Sequence, residues 1–75
     1  MKNTLTKQDY ERLVDLKGKA ALLQNELRRI DQIASTILGE ADPDPNSMGM
    51  DLMENSSGTT VAHWLKQQGI KVRRA

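Results

Sequence analysis

"LVDLKGKAALLQNELRRIDQIASTIL", residues 13–38, decides how this chain is built. Leu13, Leu16, Ala20, Leu23, Leu27, Ile30, Ala34 and Ile37 are separated alternately by three and four residues. That spacing is a heptad seam, with Leu13, Ala20, Leu27 and Ala34 at a and Leu16, Leu23, Ile30 and Ile37 at d. It runs for about four heptads, long enough to predict a helix rather than a chance pattern.

The flanks set the limits of that helix. In "LTKQDY", Thr6 is an N-cap with Asp9 three residues on, and Leu5 and Tyr10 occupy the two positions of a hydrophobic staple. In "ILGEADPDP", Gly39 suits the left-handed residue after a helix, and Pro43 and Pro45 prevent it resuming. The prediction is one helix over 7–38, about 48 Å long at ~1.5 Å per residue. Gly18 costs roughly 1 kcal/mol relative to Ala and marks the place for a bend.

A seam that long exceeds what the rest of the chain can cover. Pairing with a second copy is therefore expected, and the register favours antiparallel pairing centred near Leu23, because each Ala at a then meets a Leu or Ile at d. The expected fold class is all-α: a long heptad-patterned helix forming an antiparallel homo-oligomer, an acidic linker over 39–59, a short helix over 60–69 packed on the stem, and a basic extended tail over 70–75.

Composition bounds the function. The 75 residues make one small domain with a modest core. There is no Cys, one His, no Phe, one Trp and one Tyr. That excludes a disulfide framework and a thiolate metal site; no metal and no cofactor is expected. "MKNTLTKQDYERL" has no apolar core of a signal peptide, and no run approaches the ~18 apolar residues of a membrane span. A reducing cytoplasm is the expected compartment, with no membrane partner. The net charge of +1 is unevenly placed: +2 over residues 1–39, −5 over 40–54 and +4 over 55–75.

Two stretches of the linker invite specific chemistry. "DPDPN" sets Asp42, Asp44 and Asn46 at alternate positions, like the opening ligands of an EF-hand loop, but Ser47 and Met53 stand where that loop needs glycine and a bidentate Glu. A solvated turn is the expectation. "MGMDLM" is apolar enough to dock, and the expectation is that it covers the side of the stem.

The end of the chain reads "TTVAHWLKQQGIKVRRA". Thr60 (or Thr59) caps a helix starting at Val61; Gly69 ends it; Ile70 touches back onto Leu65. Val61, Leu65 and Ile70 are expected to face the stem with Trp64 at the margin, and His63, Lys66 and Gln67 to face out. "NSSGTT" places Ser57, Thr59 and Thr60 directly before a helix start, a position suited to an anion. With Trp64 and His63 beside it, Arg73 and Arg74 in the tail, and Arg28 and Arg29 from a neighbouring stem, it forms a candidate nucleotide site: phosphate at Thr59 and Thr60, base against Trp64. The plainer reading of the same residues is a polar linker and a cap. No nucleophile–base–orienter set is present in the pattern, so no enzyme activity is expected.

"VAHWLKQQGIKVRR" is similar to the end of helix-turn-helix segments in transposases and recombinases, which would make the chain a DNA-binding regulator; the long helix and linker before it do not match that layout. The whole arrangement, "LTKQDYERLVDLKGKAALLQNEL" followed by an acidic linker and "WLKQQGIKV", resembles small accessory proteins of phages and prophages. That resemblance implies an anti-defence binding protein acting in the host cytoplasm, either an inhibitor of a bacterial defence protein or a sponge for a nucleotide signal.

Overall fold

The computed structural model describes residues 3–40, 47–55 and 60–73. It is mostly helical. A two-residue strand β1 (Thr4–Leu5) leads into α1 (Lys7–Leu22). A 3-10 turn (Gln24–Glu26) connects α1 to α2 (Leu27–Ile37). A short helical turn α3 (Met48–Met50) runs into a π-type turn (Asp51–Asn55), and α4 (Val61–Gln67) is followed by strand β2 (Lys71–Val72).

The single helix expected over 7–38 is corrected: it is a helical hairpin. The last α-type bond of α1 runs from the Leu23 N–H to the Lys19 carbonyl at 2.8 Å, and Leu23 then leaves helical geometry with φ −121° and ψ 60°. The longest dimension of the protein is 34 Å, too short for a continuous helix of about 48 Å. The break falls at Leu23, not at Gly18. Its physical reason lies in the seam. Leu13, Leu16 and Ala20 on α1, with Ile30, Ala34 and Ile37 on α2, are all buried within one chain. Each fully buried Leu or Ile contributes roughly 1.5–3 kcal/mol, which outweighs the few helical hydrogen bonds lost at the turn. Gln24 and Asn25 are exposed there, and Asn is a weak helix former that tolerates turns.

The two central seam residues are the ones left out. Leu27 is half-buried and Leu23 is 47% exposed. The seam thus folds back on itself, and the premise that a second copy must cover it does not hold for this chain. Leu23→Asp should therefore shift the urea unfolding midpoint little, whereas Ile30→Asp should unfold the chain by burying a charge. Equal and severe effects at both positions would restore the long-helix arrangement.

The helix ends follow the cap signals. The Thr6 hydroxyl accepts from the Asp9 N–H at 3.1 Å. At the end of α2, Gly39 (φ 88°) and Glu40 donate back to Thr36 and Ser35, at 3.0 and 2.9 Å; at the end of α4, Gly69 (φ 76°) and Ile70 donate to Lys66 and Leu65, at 3.1 and 2.9 Å. Both are Schellman closures. Gly18, by contrast, is a helical residue around which a Cβ would meet nothing within 4 Å. Gly18→Ala should raise stability by about 1 kcal/mol, read as a higher unfolding midpoint; a neutral or negative change would mean that α1 depends on flexibility there.

Much of the expected linker is structure. Ser47 caps α3, its hydroxyl accepting from the Met50 N–H at 3.1 Å, and Leu52 and Met53 are buried. Leu52 is tied to α1 by the Lys17 ammonium, which donates to its carbonyl at 2.7 Å; partial burial pushes the Lys17 pKa below its usual value. The element escapes a periodicity reading because one short turn has no repeat to detect. Asp42, Asp44 and Asn46, the calcium-like trio, lie outside the described residues. The tail pairs in parallel with β1: Lys71 N–H donates to Asn3 and Arg73 N–H to Leu5, at 2.9 and 2.6 Å. The pairing joins the start of the fold to its end.

Candidate functional site

Two arrangements of side chains stand out, one buried and polar, the other open and basic.

The buried one joins α2 to α3. Asp31 is 5% exposed, and Ser35 and Ser47 are buried beside it. The Ser47 hydroxyl donates to Asp31 Oδ1 at 2.6 Å and the Ser35 hydroxyl donates to the same oxygen at 3.3 Å. Glu40 reaches across to accept from the Met48 N–H at 2.7 Å. Gly49 lies directly on this cluster; a Cβ there would clash with Ser35 Oγ and sit 2.5 Å from the Asp31 carbonyl and 2.7 Å from its carboxylate. The Ser47 and Ser35 hydroxyls are both spent on Asp31 Oδ1 and Glu40 bonds the start of α3, so the cluster holds α3 in place on α2. Its trace in the sequence was Asp31 and Ser35, spaced i,i+4 on one helix face.

The open arrangement is a groove of about 970 Å³ between the first turns of α1 and the corner where α4 passes into β2. Leu65, Ile70, Val72, Ala62 and Tyr10 supply most of its lining. Lys7, Lys66 and Lys71 stand around it with one acid, Glu11. The ion pairs on α1, Arg12–Asp9 at 3.7 Å and Lys19–Asp15 at 3.0 Å, involve none of these lysines. No pattern in the sequence announces the groove, because its lysines come from three segments that only the fold brings together.

The candidate nucleotide set fares differently residue by residue. Trp64 is 4% exposed, and its indole N–H donates to Asp51 Oδ2 at 2.7 Å. The ring expected at the margin is a core residue, corrected because the turn at Asp51 offers the N–H a partly buried partner. The Thr60 hydroxyl accepts from the His63 N–H at 3.2 Å and so serves as the cap of α4. The His63 side chain is exposed. Arg28 and Arg29 are exposed in the first turn of α2, beside the hairpin turn. Arg73 is exposed next to Leu5, at the other end of α1. About 24 Å of helix separates these two groups of arginines. Ser57, Thr59 and Arg74 lie outside the described residues.

Among the described residues, no group of three His, Asp or Glu is placed to hold a metal ion, and no helix is long and apolar enough to cross a membrane. The fold defines a small, mostly helical protein with an open groove bordered by lysines. Comparison with protein families, with characterised proteins and with solved structures finds no match for the chain.

Proposed function

We propose that this chain is a non-catalytic binding protein of the phage-encoded anti-defence type, and that it acts on a protein partner in the host cytoplasm. The observation that carries the choice of partner is Trp64. A nucleotide sponge built from the chain's one Trp needs the face of that ring, and the ring is in the core with its N–H committed to Asp51. The DNA-binding reading needs a basic surface that tracks phosphates; the lysines here border a mainly apolar groove, and Arg28 and Arg29 lie at the far end of α1 from it. The groove supports a protein partner, since its apolar lining rewards side chains more than sugar and phosphate. A second copy is not required to cover most of the seam, since six of its eight residues are buried within the chain; Leu23 and Leu27 are not.

The test has two arms. Bacterial strains that each carry one defence system are made to express the protein and challenged with phage; plaque formation should recover in at least one. Titration calorimetry with cyclic nucleotides should give no saturable heat. Saturable nucleotide heat would return the sponge reading, and failure to recover plaques in any strain would remove the anti-defence role.

A further inference from the structure

The geometry points to the groove between α1 and the α4–β2 corner as the docking site for an acidic, apolar segment of the partner protein. This rests on the reading of the chain as a protein-binding inhibitor and names the surface and the chemistry that reading leaves open.

Three observations carry it. The first is charge. Lys7, Lys66 and Lys71 border the groove against the single carboxylate of Glu11, a local balance of +2. None of the three lysines forms an ion pair with a described residue. An incoming Asp or Glu would meet a net positive rim that Glu11 offsets only in part, and such complementarity steers encounter and fixes register. The second is the lining. Leu65, Ile70 and Val72 form an aliphatic floor, and lysine stems extend apolar surface to the rim while their ammonium groups stay in water. A segment with apolar residues between its acids matches both features. The third is the lack of a nucleic-acid surface at the same place. Single strands need aromatic platforms on which bases stack, and Tyr10, half-buried, is the one aromatic residue lining the groove. Duplex DNA would call on the remaining described arginines, of which Arg28 and Arg29 are about 24 Å away along α1.

The rest of the surface supplies the control. Val14, on α1, and Leu22 and Leu23, beside the hairpin turn, are also exposed and apolar, Leu22 to 84%, but they lie outside the groove that Lys7, Lys66 and Lys71 border.

The experiment is selection from a random-sequence peptide library on the wild-type protein, followed by amide shift mapping with the selected peptide. The expected peptides carry Asp and Glu interspersed with Leu, Ile, Val or Phe, and the shifts cluster at Lys7, Ala62, Lys66, Gly69 and Lys71. The double variant Lys66→Glu, Lys71→Glu changes two exposed residues. It should keep the wild-type helical spectrum and lose about tenfold or more in peptide affinity, while Arg28→Glu with Arg29→Glu should leave affinity unchanged. Peptides without acidic bias, no enriched peptide at all, shifts centred on Val14, Leu22 and Leu23, or duplex DNA displacing the peptide would each overturn the assignment. The two proposals fail separately: if the double variant still restores plaques as well as the wild type, the groove is wrong and the inhibitor reading stands. Peptide binding without plaque recovery gives the reverse.

Discussion

Gly49→Val should remove a large share of the chain's stability and bring its urea unfolding midpoint far below that of the wild type. The reason is space and not backbone conformation, since Gly49 does not have the positive φ seen at Gly39 and Gly69. Its Cα rests on α2, where a Cβ would lie 2.5 Å from the Asp31 carbonyl oxygen as well as against Asp31 Oδ1 and Ser35 Oγ. A side chain can rotate away; a carbonyl inside a helix cannot without breaking the helix. Forcing extra carbon into a packed interface costs about 1–3 kcal/mol, and displacing the hydrogen bonds around Asp31 adds about 1–3 kcal/mol more. A domain of 75 residues has only about 4–11 kcal/mol in total. Circular dichroism and urea unfolding would show the result. Gly49→Ala should have the same sign with a smaller shift, and a wild-type midpoint for Gly49→Ala would mean that α3 does not sit on α2 as described.

Asp31→Ala should cost about 2–4 kcal/mol, although alanine is the better helix former. The loss comes from what remains behind. The hydroxyls of Ser47 and Ser35 are buried, and both donate to the carboxylate that is removed. Hydrogen bonds to a carboxylate are stronger than neutral ones, and the Ser47 bond is short at 2.6 Å. Ser47→Ala removes the same bond from the other side, together with the cap on Met50. The two substitutions should therefore be strongly non-additive, with a coupling of about 1 kcal/mol or more in a double-mutant cycle. Additive losses would show that Asp31 and Ser47 do not act as a pair.

The local signals in the sequence were sound where the physics is local. Thr6 and Thr60 cap because a hydroxyl beside the first turn satisfies an N–H of that turn, and Gly39 and Gly69 end helices because they take positive φ without a steric penalty. The apolar stripe was legible as a face to be covered, since the period of three and four names one face of a helix: Leu13, Leu16, Ala20, Ile30, Ala34 and Ile37 are buried, as core within the chain and not as the interface between copies that was expected, while Leu23 and Leu27 of the same stripe are not. Val61, Leu65 and Ile70 followed from the same reasoning.

What only the tertiary structure decided is which surface covers that face. A heptad stripe has the same spacing whether its partner is another chain or the second half of the same helix, so periodicity cannot distinguish a long stem from a hairpin. The choice was made by the burial gained when α2 folds onto α1, with the small α3 turn completing the cover through Gly49, Asp31 and Ser47. Trp64 illustrates the same limit: its place at the edge or in the core depended on Asp51, thirteen residues earlier, being carried to its indole N–H. The groove is the extreme case. Lys66 and Lys71 belong to the basic end of the sequence, but Lys7 lies some sixty residues away, and it shares their surface because the parallel pairing of β1 with β2 brings the two ends of the fold together.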